Sequence, residues 1–497
     1  MVITLVASWW SLPVYPAAMP SWYLLFVATW VVVALERWHN SGRIAWLVAI
    51  GALCGLAVTV KQTGLYVVAG ALLGLLFCDQ EASRLRWPDG KPAGRTDPVI
   101  VLLVASLGAL VLTLMWGFID SGELLHLVAP IGGLLALAAL REWRLTDDGM
   151  QRWRSLLRSV GIIILAAAVP VLLFVLPYAR DGGLGALYAG SVGEGIERIT
   201  ALHRGMRSAP MLFRAVWPVY AVLLVEAFSG KQRVLRFVAV ACGIALLVMA
   251  AQSSGGYRRL WFFGTSVLPL AVAAVVVAGH RAWCAPRALD PVLLALAGVT
   301  ALQALNQFPF SAPVYFAFVA PLAVLTAGAA AAHFGALARV RTGFLLLAGF
   351  ALLLRVGSVF NLGFYPAWWD YTHRLAVPRG GLLVTAQDSA RYTRLLDLVE
   401  RHRANGTVVA GPELPEGYFL SGSRSPGRDS YSLFSDVVTD STQIARAFSV
   451  AAANVIVIKT HPMLGVPLRD DVFRWLALRY PLGEAVDSIE VRWKAPH

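Results

Sequence analysis

Charge is scarce in this sequence: only 14% of its 497 residues are Asp, Glu, Lys or Arg, while 58% are hydrophobic. Soluble domains carry about a quarter charged residues, so the polar material here cannot cover a core of this size, and a soluble globular protein is excluded. Apolar runs of bilayer length account for the excess. Cysteine is sparse too. Cys54, Cys78, Cys242 and Cys284 show no metal-ligand spacing and none falls in the C-terminal stretch, which argues against a disulfide framework. Walker-type and Rossmann glycine fingerprints are missing, which argues against ATP-driven transport by this chain. His373, His402 and His461 are not spaced as ligands, so no metal site is read. The start, Met1 to Trp10, lacks a basic n-region and a cleavage site. Its apolar run stops at Pro13 and Pro16 after about a dozen residues, short of the about 20 a spanning helix needs. The natural N-terminus is therefore expected upstream.

What is present is a series of apolar runs separated by basic clusters. After a half-segment at 2–12 come runs at 19–36, 44–60, 63–78, 98–118, 124–140, 156–177, 209–228, 235–251, 260–279, 291–305, 313–333 and 342–360. This predicts a polytopic α-helical membrane protein with about 12 spans. The formal charge of +13 would suggest nucleic acid in a soluble protein, but the placement of the basic residues between apolar runs reads as topology signalling, and no nucleic-acid partner is expected. With the Arg37 and Arg43 loop in the cytoplasm, strict alternation puts Arg84, Arg86, Lys91 and Arg95 there as well. Arg141, Arg144, Arg152, Arg154 and Arg158 follow, then Lys231, Arg233 and Arg236, then Arg281 and Arg287, then Arg339 and Arg341. The opposite loops are poorer in bases; the long one, 178–208, carries a candidate interfacial helix in its second half. The same parity predicts residues 361–497 outside the cytoplasm, in a multi-pass protein of the cytoplasmic (inner) membrane.

The C-terminal stretch has another texture. Asp388 to Arg401 has helical periodicity with Tyr392, Leu395, Leu396 and Val399 on one face, and Asp470–Tyr480 reads as a second helix. Thr407–Ala410, Val455–Lys459 and Ser488–Trp493 read as strands. Helices alternating with strands predict a small C-terminal α/β soluble domain over 361–497, following a transmembrane domain over 1–360.

Few residues could carry chemistry. Lys61, in Val60-Lys61-Gln62-Thr63-Gly64, stands between two apolar runs with almost no loop around it. Two readings stand: the ammonium snorkels to the headgroups, or it faces a cavity and meets a phosphate. Tyr257-Arg258-Arg259 opens a run on the base-poor side and reads as an interfacial anchor or as a bidentate phosphate clamp. The carboxylates predicted on that side are Asp120, Glu123, Asp181, Glu194 and Glu197. Any of them could serve as a general base towards a hydroxyl; Asp181, beside Arg180 at a helix mouth, has the best placement, and an ordinary loop charge is the other reading.

Several segments carry a resemblance. They are Tyr15-Pro16-Ala17-Ala18-Met19-Pro20-Ser21-Trp22-Tyr23, the Gly-rich stretch Gly51 to Gly64, Asn306 to Phe316, and Ala410 to Gly422. In order and spacing the chain resembles the family 39-like glycosyltransferases of the GT-C superfamily, which include protein O-mannosyltransferases and the bacterial aminoarabinose transferase. The resemblance implies transfer of a sugar from a polyprenyl-phosphate donor to a glycan, lipid or protein acceptor outside the membrane. It implies lipid-phosphate binding by Lys61, with Arg258 and Arg259 at an aromatic–Arg position; apart from the resemblance, Gln62, Tyr257 and Arg180 are further cavity candidates. The tail would cap the active site and shape acceptor choice. No cofactor is evident; the superfamily admits a divalent metal, for which the sequence shows no ligand set. The family's catalytic acidic motif lies in the first external loop, and nothing at 1–18 is acidic. The motif is expected upstream of Met1, and the base stays unassigned. The alternatives are a transporter or flippase of a lipid-linked or small polar substrate, or a non-catalytic membrane scaffold.

Overall fold

In a computed structural model, placement is described for Ala7 and residues 19–86, 98–145, 149–193, 205–229, 232–284, 289–311, 313–356, 370–403, 406–425, 453–462, 468 and 470–495. The expected half-segment 2–12, apart from Ala7, and the loop residues 194–204 with Glu194 and Glu197 lie outside the described residues. The chain divides into two compact units, Met1–Leu362 and Gly363–His497.

From residue 19 to 356, every expected apolar run carries helix. Among the described residues, seven helices are long and apolar enough to cross a membrane: Gly64–Leu85, Pro98–Met115, Ser121–Arg144, Arg152–Arg180, Ala209–Phe228, Arg233–Gln252 and Ser254–Cys284. The expectation of about twelve spans is corrected to this number. Ile44–Val60, Pro291–Gln307, Ala320–His333 and Arg341–Leu353 are apolar but shorter. At 1.5 Å per residue they rise about 20–26 Å, against a hydrocarbon layer of about 30 Å. Pro20–Ser41 has the length, but Glu36, Arg37, His39 and Asn40 dilute its last turns. The unit is a multi-pass membrane bundle.

Glycines set the closest helix contacts and show which way neighbours run. A Cβ on Gly51 would lie 2.4 Å from Ile163 O, and one on Gly55 2.2 Å from Ala167 O. Four residues on one helix match four on the other, so Ile44–Val60 and Gly149–Arg180 run parallel along a small-xxx-small seam. Gly70 meets Val299 and Gly74 meets Ala295, an antiparallel pair. Gly133 meets Val276 while Gly279 meets both Leu137 and Leu294. That pattern puts the starts of Ser121–Arg144 and Ser254–Cys284 at one end of the bundle. The end of Pro291–Gln303 and Lys61 lie at that same end, here the lysine end.

The opposite end is locked by ion pairs. Arg152 grips Glu142 with both Nη atoms, at 2.5 and 2.8 Å, and donates through Nε to Asp79 at 2.5 Å. Gln80 Nε2 donates to Glu142 Oε2 at 3.1 Å and to Ala138 O at 2.9 Å. Glu81 accepts from Arg84 at 2.6 Å and from Arg141 at 3.2 Å, and the Arg141 guanidinium lies 4.5 Å from the Trp283 ring centroid. Two arginines that read as topology charges in the sequence, Arg141 and Arg152, thus also join the helices Gly64–Arg86, Ala129–Arg144 and Gly149–Arg180.

The second unit holds a four-stranded sheet in the order β3-β4-β6-β5: β3 is Thr407–Gly411, β4 Ala453–Lys459, β5 Leu482–Val486 and β6 Ile489–Trp493. β3 and β4 are parallel; the other pairings are antiparallel. Alternation along the strands fills both faces. Val408, Ala410, Val455 and Val457 meet Leu395, Leu396 and Val399 of the helix Ala386–Arg403. Val409, Ile456 and Ile458 meet Val472 and Leu476 of the helix Asp470–Arg479. A hairpin of β1 (His373–Arg374) and β2 (Leu383–Val384) precedes them. Burial raises the Tyr418 phenol pKa above its usual value, and burial with the neighbouring Glu416 carboxylate does the same to Tyr392.

Candidate functional site

Lys61 is held by the turn it terminates. Its extended backbone, φ −164° and ψ 147°, stops the helix while its N–H still reaches Ala57 O at 3.2 Å. The chain then reverses at once, with Gly64 N–H donating to Lys61 O at 2.8 Å. Glycine is required at 64, because a Cβ would stand 2.1 Å from Ala57 O. Lys61 is half-buried, and its Nζ donates to Ser21 Oγ at 3.2 Å and lies 6.0 Å from the Tyr315 ring centroid. The ring's quadrupole attracts the ammonium. Gln62, next in the turn, is exposed.

Tyr315 leads into the rest of the lysine end. Its ring meets Phe310 at 6.0 Å and Phe318 at 5.8 Å, and Phe318 meets Trp22 edge-on at 4.8 Å. Beside it, Phe316 packs at 5.8 Å on Trp261, which shares Phe350 with Tyr257. Tyr257 is buried in this aromatic packing, whereas Arg258 and Arg259 are exposed. Neither arginine has an ion-pair or hydrogen-bond partner among the described residues.

Asp181 does not stand level with Lys61. From the matched pair Gly55 and Ala167, Lys61 is six residues on and Asp181 fourteen, so at 1.5 Å per residue Asp181 stands about 12 Å farther along. It and Arg180 are exposed. Another carboxylate pair is built into the bundle. Asp120 caps the helix start by accepting from Gly122 N at 2.5 Å and Glu123 N at 3.1 Å. Glu123 is buried and accepts from Met206 N at 2.6 Å, while Ser311 Oγ donates to Gly205 O at 2.5 Å. The segment 205–208 therefore links Glu123 to the turn that carries Tyr315.

No family model matches the chain, and a search of curated proteins finds no match.

Residues that the sequence did not single out complete this end. The helix Pro291–Gln303 runs into a 3₁₀ turn, Ala304–Gln307, which packs on the short helix Pro313–Ala317 bearing Tyr315 and on the π-helical turn Leu124–Val128 bearing His126. Gln303, Asn306 and Gln307 are buried. Trp22 Nε1, Thr63 Oγ1, Tyr257 Oη, Gln303 Nε2 and Asn306 Oδ1 are buried with no protein hydrogen-bond partner among the described residues. Each such atom costs about 1–3 kcal/mol unless something supplies its bond. The available signal was amide residues closing an apolar run, since polar groups inside a membrane bundle mark a pathway or site. One end of the bundle thus carries an ammonium and, separately, unsatisfied neutral donors and acceptors, groups that suit a ligand part anionic and part hydroxyl-bearing.

Proposed function

We propose that the chain is a membrane glycosyltransferase that moves a sugar from a polyprenyl-phosphate donor to an acceptor hydroxyl on the extracytoplasmic side. The observation that supports it most is Lys61, held at a helix end by Ser21 and Tyr315. A compact ammonium suits phosphate oxygens. In transfer, the acceptor oxygen bonds to the anomeric carbon as the bond from that carbon to the phosphate oxygen breaks. The phosphate leaves with the electron pair, and the acceptor proton goes to a base. Lys61 stabilises the charge that grows on the leaving phosphate. Arg258 and Arg259, exposed on the same end, attract the anionic headgroup as it approaches. The lysine end is the extracytoplasmic one, because the opposite end gathers Arg84, Arg86, Arg141, Arg144 and Arg152. The membrane would be the inner one, with Gly363–His497 outside the cytoplasm.

Lys61→Ala in the full chain is expected to abolish sugar transfer from a polyprenyl-phosphate sugar in a detergent assay while leaving membrane insertion intact. Unchanged turnover would overturn the role. A protein that binds the donor and moves it across vesicles without breaking the sugar–phosphate bond would instead be a flippase.

A further inference from the structure

We infer that His126, Gln303 and Asn306 form a pocket for an uncharged sugar ring at the lysine end, distinct from the phosphate contact at Lys61. This inference deepens the transferase reading and rests on it for the identity of the donor.

Gln303 is 1% exposed, and Asn306 and His126 are each 4% exposed. The two amides are already joined: Asn306 Nδ2 donates to Gln303 O at 3.1 Å and to Gln303 Oε1. That pairing occupies Asn306 Nδ2 and Gln303 Oε1 and leaves Gln303 Nε2 and Asn306 Oδ1 unsatisfied. The pair thus offers the N–H groups of one amide and the carbonyl of the other, the mix of donor and acceptor that sugar hydroxyls require, since each hydroxyl both donates and accepts. A phosphate accepts only and would satisfy Gln303 but not Asn306. The turn of these amides packs on the Tyr315 helix on one side and on the His126 turn on the other. His126 itself has no hydrogen-bond partner among the described residues, and its helix turn is π-wound, a distortion frequent at functional sites. Phe308, which directly follows the amide turn, packs edge-on against Phe118 with ring centroids 5.9 Å apart. A lipid phosphate on Lys61 would carry its sugar towards this turn through the Tyr315 neighbourhood.

The test uses the full chain in lipid nanodiscs with three probes: a polyprenyl-phosphate hexose, a polyprenyl-phosphate pentose and bare polyprenyl phosphate. Wild type is expected to bind at least one sugar-bearing lipid about tenfold or more tighter than the bare lipid. Asn306→Leu and Gln303→Met, which keep size, are expected to bring that ratio close to one and leave the bare-lipid affinity unchanged. Each single substitution breaks the Asn306–Gln303 bond and is expected to lower the melting temperature by about a few degrees, whereas the double variant, which strands neither amide, is expected to recover it and to lose the sugar preference as well. Lys61→Ala should weaken all three probes equally. No preference in wild type for either sugar lipid, or a preference that survives both amide substitutions, overturns the pocket. If the amide variants lose the preference but Lys61→Ala leaves bare-lipid binding untouched, the pocket stands and the lipid-phosphate reading falls.

Discussion

The two ends of the membrane unit handle polar groups in opposite ways. At one end, charged side chains meet charged partners: Arg152 holds Glu142 through two bonds and Asp79 through a third. At the other, neutral amides, hydroxyls and an indole are buried with bonds unmade, around a lysine held by a serine and a tyrosine. Ion-pair networks fix helices to one another, although Gln80 Oε1 and Arg141 Nε and Nη1 at that end are also buried without a hydrogen-bond partner among the described residues. Open neutral polar groups destabilise the bundle until something fills them. The contrast separates a clamp from a receiving site without reference to any relative.

The largest effect is expected at the clamp. Glu142→Ala leaves the buried Arg152 guanidinium without its bidentate partner, a loss of about 3–5 kcal/mol; thermal unfolding in detergent reads it, and an unchanged melting point would break the contrast. Next comes the parallel seam. Gly55→Val forces atoms against Ala167 O, where even a Cβ would stand 2.2 Å away, and should cost about 1–3 kcal/mol as overpacking does, seen by the same unfolding. At the lysine end the sign turns. Tyr257→Phe removes a buried hydroxyl with no partner and is expected to leave stability within about 1 kcal/mol or raise it. Stability lost by more than that would mean the hydroxyl is bonded after all. The smallest effect lies in the second unit. Asp487 pairs with Arg391 at 2.7 Å but is half exposed, so Asp487→Asn should cost less than about 1 kcal/mol by denaturant unfolding.

Much of the architecture was legible because apolar runs and alternation are local signals. Val408, Val455 and Val491 announced buried strands, and the runs from 19 to 360 announced helices. Span number was less legible, because crossing depends on where each helix stops, and Pro291–Gln303 stops after 13 residues. β5 escaped notice since only Val486 of its five residues is buried. At the site, Lys61 stood out, but Ser21 and Tyr315, although each lies in a segment that carries the resemblance, could not be assigned to it because they are far from it in sequence. Asp181 ranked above Glu123 because a sequence shows which charges adjoin but not how far along the bundle each one stands. Gln303 and Asn306 could be noticed only once their pairing showed what it left over.

The seam between Ile44–Val60 and Gly149–Arg180 bears on how the protein is made. Helices that enter a membrane in succession pair most readily as antiparallel hairpins. These two run the same way, so they cannot form such a hairpin, and three further helices lie between them in the chain. During synthesis the Gly51–Gly55 face must therefore wait, covered only by lipid or by an insertion factor, until the partner emerges. Lys61 sits at the end of that waiting face, so the receiving end of the protein is completed late, after most of the clamp at the opposite end has been translated.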